Sequence, residues 1–291
     1  MRKRVDFLSF DGTKLNGIIE IPEKKKIKGG VLLLHGCPSE KNEDGFHSEE
    51  PNKNGRYKKQ GGMAEYLSQS GYLSLRFDYR EQGENFKTSD MTSLSISGMV
   101  SDTESGYFEL KNNLPANTPI YVVGTSFAGG IAVKWINSYN RTVNCLFLMA
   151  PLLDFAYTIR KTNVTKIDNR GMEILKKEAI FELNKNGFLI SGGKKMNKEF
   201  INEVMMMNIK EEFQRLNVKS VIFHGTLDTV VPYETSVEFE KLSNGNCELV
   251  SIENAVHGFG IEGDLDWEAD ETLSNHERIY EEMIKRIDND Y

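Results

Sequence analysis

A chain of 291 residues that is 39% apolar and 10% aromatic has ample material for the core of one large α/β unit. Its charged fraction of 27% and net charge of −7 lack the basic footprint of a general nucleic-acid binder. No apolar stretch approaches the length of a membrane-spanning helix, and the segment after Met1-Arg2-Lys3-Arg4 is too short and polar for a signal-peptide core. Cys37, Cys145 and Cys247 lie far apart with no C-x-x-C pairing, so a reducing, cytoplasmic setting is expected and a disulfide framework is not. The short basic run Lys24-Lys25-Lys26 reads as a solvated turn.

In chain order, residues 5–10 alternate roughly, Asp11-Gly12 turns the chain, and Leu15 to Ile21 is extended again, which predicts a hairpin. Val31 to Leu34 is a continuous apolar run, as in a strand covered on both faces. A long polar loop from Ser39 to Gly62 follows, then a helix from Met63 to about Gly71. A strand over 72–79, a helix over 93–111, a strand over 120–123, a helix over 127–139 and a strand over 143–150 continue the alternation. Between about Leu152 and Leu216 no clear strand is expected, and 172–182 and 198–213 have helical spacing. The strand 221–224, helix 234–242, strand 248–252 and amphipathic helix 271–287 close the chain. Alternating strands and helices predict a mainly parallel sheet with helices on both faces. The expected division is a core of residues 1–151 and 217–291, interrupted by a helical cap, 152–216.

The strongest local signal is Gly124-Thr125-Ser126-Phe127-Ala128-Gly129-Gly130 between an apolar strand and a helix, the context of a nucleophile elbow. Small residues must flank such a turn, and Ala128 replaces the last glycine of G-x-S-x-G. A serine between strand and helix also fits a helix N-cap, and the motif alone favours the nucleophile only modestly. A nucleophilic serine needs a base and an orienting acid, in chain order Ser, Asp, His. Asp228 follows the strand 221–224 and His257 the strand 248–252, both at strand carboxyl ends, where open α/β sheets place ligands.

His35-Gly36, Arg76-Phe77-Asp78-Tyr79-Arg80 before Gly83-Glu84, the elbow, His224-Gly225-Thr226-Leu227-Asp228-Thr229-Val230-Val231-Pro232 and His257-Gly258 occur in that order. Together they resemble the capped α/β-hydrolases that include bacterial cinnamoyl and feruloyl esterases, over nearly the whole chain. The resemblance implies an α/β-hydrolase fold with a mostly parallel sheet of about eight strands and a helical cap. It implies a serine hydrolase of carboxylic esters, with Ser126 as nucleophile, His257 as base and Asp228 as acid. It also implies an oxyanion hole from the backbone N–H groups of Cys37 and Phe127, where preorganised donors matter more than side-chain identity. The family's R-G-x-G-x-S after the Asp-Tyr pair stands here as Arg80-Glu81-Gln82-Gly83-Glu84-Asn85, a departure beside the expected pocket.

Competing readings are specific. Asp154 is a rival acid, and Cys37 a rival nucleophile without an elbow. His35 and His224 each precede a glycine at a strand end and read as loop-orienting, while His47 and His276 read as surface. Met205, Met206 and Met207 either pack the cap onto the body or line an adaptable apolar pocket, and Leu152, Leu153 and Phe155 admit the same two readings. No metal-ligand spacing and no phosphate loop is found, so no metal and no cofactor is expected. The expected partner is a small acyl or aromatic ester; a thioester, acyl transfer by the same residues, and a hydrolase-like ligand-binding protein are the alternatives.

Overall fold

The structure, a computed structural model, describes residues 1–23, 26–42, 62–85, 94–161, 164–191, 194–264 and 266–289. Lys24, Lys25, His47 and nearly all of the 39–62 loop lie outside them. The predicted hairpin is β1 (Arg2–Leu8) and β2 (Lys14–Glu20), paired antiparallel and closed by a Ser9 N–H bond to the Thr13 carbonyl at 2.8 Å. Then come β3 (Gly29–Leu34), α1 (Met63–Ser70), β4 (Tyr72–Phe77), α2 (Ile96–Asn112), β5 (Ile120–Thr125), α3 (Phe127–Tyr139) and β6 (Cys145–Met149).

The described residues between 150 and 219 run outside the main sheet. They form α4 (Ala156–Arg160), β7 (Thr165–Ile167), β8 (Glu173–Leu175), α5 (Lys177–Asn186), β9 (Phe188–Ser191), β10 (Lys194–Asn197), α6 (Lys198–Met206) and α7 (Ile209–Gln214). Here the structure corrects two expectations. Two small hairpins, β7–β8 and β9–β10, stand where no strand was expected, and Glu173–Leu175 takes strand pairing rather than helix. The expected helix over 198–213 is two, because the chain turns extended at Met207 and Asn208 caps the second helix through its side chain. The chain then re-enters the sheet as β11 (Ser220–Gly225), followed by α8 (Tyr233–Leu242), β12 (Cys247–Ile252) and α9 (Asp270–Asp288).

The eight-stranded sheet has the order β1-β2-β4-β3-β5-β6-β11-β12. Its six strands from β4 to β12 are parallel, and the N-terminal hairpin joins antiparallel to β4. Side chains alternate between faces, so continuous apolar runs feed two cores. Leu32, Leu34 and Val122 pack against α2, α3 and α8, while Val31, Leu33 and Val123 pack against α1 and α9. Each fully buried Leu, Ile or Val contributes about 1.5–3 kcal/mol, and this two-sided burial fixes the strand ends on which the site is built.

Candidate active site

Ser126 joins β5 to α3 with φ 51° and ψ −120°, a conformation costing a non-glycine residue about 1–3 kcal/mol. Packing and hydrogen bonds hold it there. Its N–H donates to the Met149 carbonyl at 2.8 Å, and its own carbonyl accepts from Gly129 at 3.0 Å and Leu152 at 2.8 Å. A Cβ on Gly124 would stand 2.9 Å from the Ala128 carbonyl oxygen, and one on Gly129 would stand 2.5 Å from Pro151 Cβ. Positions 124 and 129 therefore admit no side chain without displacing these neighbours, and Ala128 between them is small and fully buried.

His257 lies in the loop after β12. Its Nε2 is 3.0 Å from Ser126 Oγ and its Nδ1 is 2.7 Å from Asp228 Oδ2. An ionised carboxylate only accepts, so Nδ1 carries the proton and Nε2 is left to accept from the serine hydroxyl. Two α9 side chains secure the loop: Asn275 donates to the Phe259 carbonyl at 3.0 Å, and His276 to the Gly258 carbonyl at 2.9 Å. Asp228, its side chain fully buried, also accepts at Oδ1 from the N–H groups of Val230 at 2.8 Å and Val231 at 2.9 Å. Burial works to raise its pKa, but hydrogen bonds from His224, His257 and the backbone outweigh it and hold the carboxyl well below the usual range.

The expected oxyanion donors are placed as follows. Phe127 opens α3, and a first-turn N–H has no acceptor within its own helix. Its ring stacks on Phe155 at 4.7 Å and Phe200 at 5.9 Å. Cys37 follows His35-Gly36 at the end of β3. Tyr79 N–H donates to His35 Nε2 at 3.2 Å, so His35 Nδ1 carries the proton and donates to the Gly36 carbonyl at 2.7 Å. Across that planar trans peptide the Cys37 N–H points away from the His35 ring.

Asp154, the rival acid, pairs with Arg160, and the carboxylate at His257 is that of Asp228. The expected apolar wall divides. Leu153 and Phe155, each 1% exposed, are sealed in the core by the packing of Phe155 on Phe127, and Leu152 is buried with them. Met206 is 85% exposed at the end of α6, whereas Met205 and Met207 pack against the core.

The departure after Asp78-Tyr79-Arg80 places a non-glycine residue in a left-handed conformation. Glu81 takes φ 58°, and the Asn85 side chain donates to the Asp78 carbonyl at 2.7 Å. Sequence reasoning missed Lys41. Only 1% exposed, it bonds Asp78 at 2.6 Å and Glu84 at 2.8 Å and clamps the Cys37 segment to the loop after β4. A lysine in a stretch rich in Lys, Glu and Asn gave no signal of burial. His276 was also missed; it is buried rather than on the surface, facing the Gly258 carbonyl.

A doubly covered, mainly parallel sheet with a strained serine between strand and helix, and its histidine and aspartate on later loops, defines the α/β hydrolases. Residues 53–264 match the family described as serine aminopeptidase, S33, and the chain belongs to that family. Solved structures share the fold. Est1E from Butyrivibrio proteoclasticus, with ferulic acid bound, is 20% identical with a TM-score of 0.69, covering 97% of this chain and 99% of its own. An esterase from Exiguobacterium antarcticum is 18% identical, TM-score 0.60, covering 98% and 99%. A Pyrococcus furiosus esterase is 19% identical, TM-score 0.60, covering 98% and 91%. No curated protein matches the chain. Among the described residues no helix is long and apolar enough to cross a membrane, and no group of three His, Cys, Asp or Glu is placed to hold a metal ion.

Proposed function

We propose that this protein is a serine hydrolase of carboxylic esters that works through an acyl-enzyme. The observation that carries the reading is the hydrogen-bonded line Ser126 Oγ, His257 Nε2, His257 Nδ1, Asp228 Oδ2, at 3.0 and 2.7 Å. His257 takes the hydroxyl proton as Ser126 Oγ attacks the ester carbonyl, and Asp228 stabilises the imidazolium that forms. The N–H groups of Phe127 and Cys37 receive the developing oxyanion. His257 then protonates the leaving alcohol, and water, deprotonated by the same ring, releases the acid.

Residues 152–216 act in this reading as a cap. Their contacts straddle the elbow: Glu203 accepts from the Ile96 N–H at 2.5 Å, Phe200 stacks on Phe127, and Lys161 donates to the Val230 carbonyl at 2.5 Å. The acyl group we expect is small to medium or aromatic; ferulic acid bound to Est1E supports an aromatic acid. Cys37, Cys145 and Cys247 all remain thiols, in keeping with the cytoplasmic setting proposed here.

The family's description favours peptide hydrolysis from an amino terminus as a second reading. That activity needs an acceptor for the substrate ammonium, and Asp154, the acid just beyond β6, is engaged by Arg160. The test combines labelling by a fluorophosphonate with a panel of p-nitrophenyl esters, thioesters and aminoacyl anilides. Ester turnover with label on Ser126, both abolished in a folded Ser126→Ala protein, is the expected result. Undiminished ester turnover in that variant overturns the reading, and turnover confined to anilides selects the second.

A further inference from the structure

Asp228 does not serve His257 alone. Its Oδ2 receives two imidazole N–H groups, from His257 at 2.7 Å and from His224 at 3.0 Å. His224 lies in β11, four residues before the acid, with its side chain fully buried. Its Nε2 faces two acceptors, Asp228 Oδ2 and the Val231 carbonyl at 3.2 Å, so that nitrogen carries the proton. On the opposite side Nδ1 lies 2.6 Å from Ser236 Oγ on α8, whose hydroxyl donates to it and fixes the tautomer.

We propose that His224 is a positioning residue that sets the pH at which His257 becomes a base, by donating to the same carboxylate oxygen. The proposal rests on the hydrolase reading above. An anionic oxygen that already accepts one N–H has part of its charge compensated and holds a neighbouring imidazolium less tightly. Without His224 that charge falls on His257, which then keeps its proton to higher pH. The shared oxygen therefore extends the working range toward lower pH. It also fixes the carboxylate plane against which His257 is oriented.

Other titratable and charged groups also face this pair. Tyr233 stands edge-on to the His224 ring at 5.7 Å and bonds Ser251 through its hydroxyl at 2.6 Å. Glu234, Glu262 and Asp264 line a cavity of about 570 Å³ beside Asp228, and Lys161 reaches the Val230 carbonyl from the insertion. Among the described residues none of these side chains bonds an Asp228 oxygen, each of which is occupied as described.

The experiment compares His224→Leu, which keeps bulk and removes the donor, with His224→Gln, whose amide reaches the Nε2 position and donates. The readout is the pH profile of kcat/KM on a soluble p-nitrophenyl ester, beside the pH profile of fluorophosphonate labelling at Ser126. His224→Leu should move the acidic limb of both profiles up by about 0.5 to 1 pH unit, a three- to tenfold loss on that limb, with plateau KM within twofold. His224→Gln should return the limb to the wild-type position. If His224→Leu does not fold, Ser236→Ala, which frees the ring, should move the limb in the same direction. A uniform loss at every pH with an unmoved limb, or a Gln variant that behaves as Leu, overturns the proposal. Failure of the underlying reading is distinct: Ser126→Ala would retain turnover.

Discussion

Ser126 and Ala128 divide the elbow's demands between them. The serine takes the strained φ of 51°, while Ala128 sits inside α3 with no exposed surface and needs only to be small. Glycine at 128 would restore the G-x-S-x-G spacing and add only backbone freedom. We predict that Ala128→Gly lowers stability by about 0.5–1 kcal/mol in urea denaturation and leaves ester kcat unchanged. Gly129→Ala sets a methyl 2.5 Å from Pro151 Cβ, so we predict a loss of about 1–3 kcal/mol together with reduced turnover. At this scale Ser126, Asp228 and His257 were legible because each is placed by the end of its own strand, and strands show in apolar runs. Lys41 and His224 were not legible in their roles. The partner of Lys41, Asp78, is 37 residues away, and a His-Gly at a strand end says nothing of which oxygen its ring meets.

Helix α9 shows how an element far from the serine holds the base. Its buried stripe is Thr272, Leu273, His276, Ile279, Tyr280, Met283 and Ile287, and of these His276 faces the Gly258 carbonyl, one residue past His257. Burial pushes the His276 imidazole down to about 4 from 6.5, against the opposing effect of its hydrogen bond to Gly258. The unfolded chain therefore takes up a proton that the native state refuses. Stability contributed by the neutral ring is complete above pH 6.5, falls as pH drops toward 4, and levels off below, for a total of about 3 kcal/mol. His276→Gln keeps a donor for Gly258 and does not titrate. We predict that urea midpoints measured between pH 6.5 and 4 fall less steeply in this variant than in the wild type; parallel slopes would count against the assignment. The helix itself was legible from its 3.6-residue period. The strands of β7–β8 and β9–β10 were not, because segments of three or four residues carry no alternation and owe their form to pairing.

Across the whole molecule the N-terminal hairpin, the sheet centre and the first helix meet at one buried cation. Arg76 of β4, its side chain fully buried, donates to Glu20 of β2 at 3.2 Å; Glu20 also accepts from Arg2 at 3.0 Å, and Arg2 from β1 reaches Glu65 of α1 at 2.8 Å. Desolvation works to lower the Arg76 pKa, with Glu20 and Glu65 acting against it, and the net direction is down. The same guanidinium donates to Asn42 at 3.2 Å, just beyond Lys41, so the network that seats the hairpin also touches the segment leading from Cys37. Removing the cation alone strands Glu20 in a buried site, where among the described residues Arg2 is the remaining cation bonded to it. We predict that Arg76→Met costs about 3 kcal/mol, toward the lower end for a broken buried pair because Arg2 remains. Arg76→Met with Glu20→Gln should recover part of that loss, since the uncompensated charge is gone, and a double-mutant cycle in urea measures the coupling. Additive losses would mean that the hairpin is held by β1–β2 and β2–β4 pairing alone. In that case the cation is a consequence of the fold rather than a fastening between its first strands and its site.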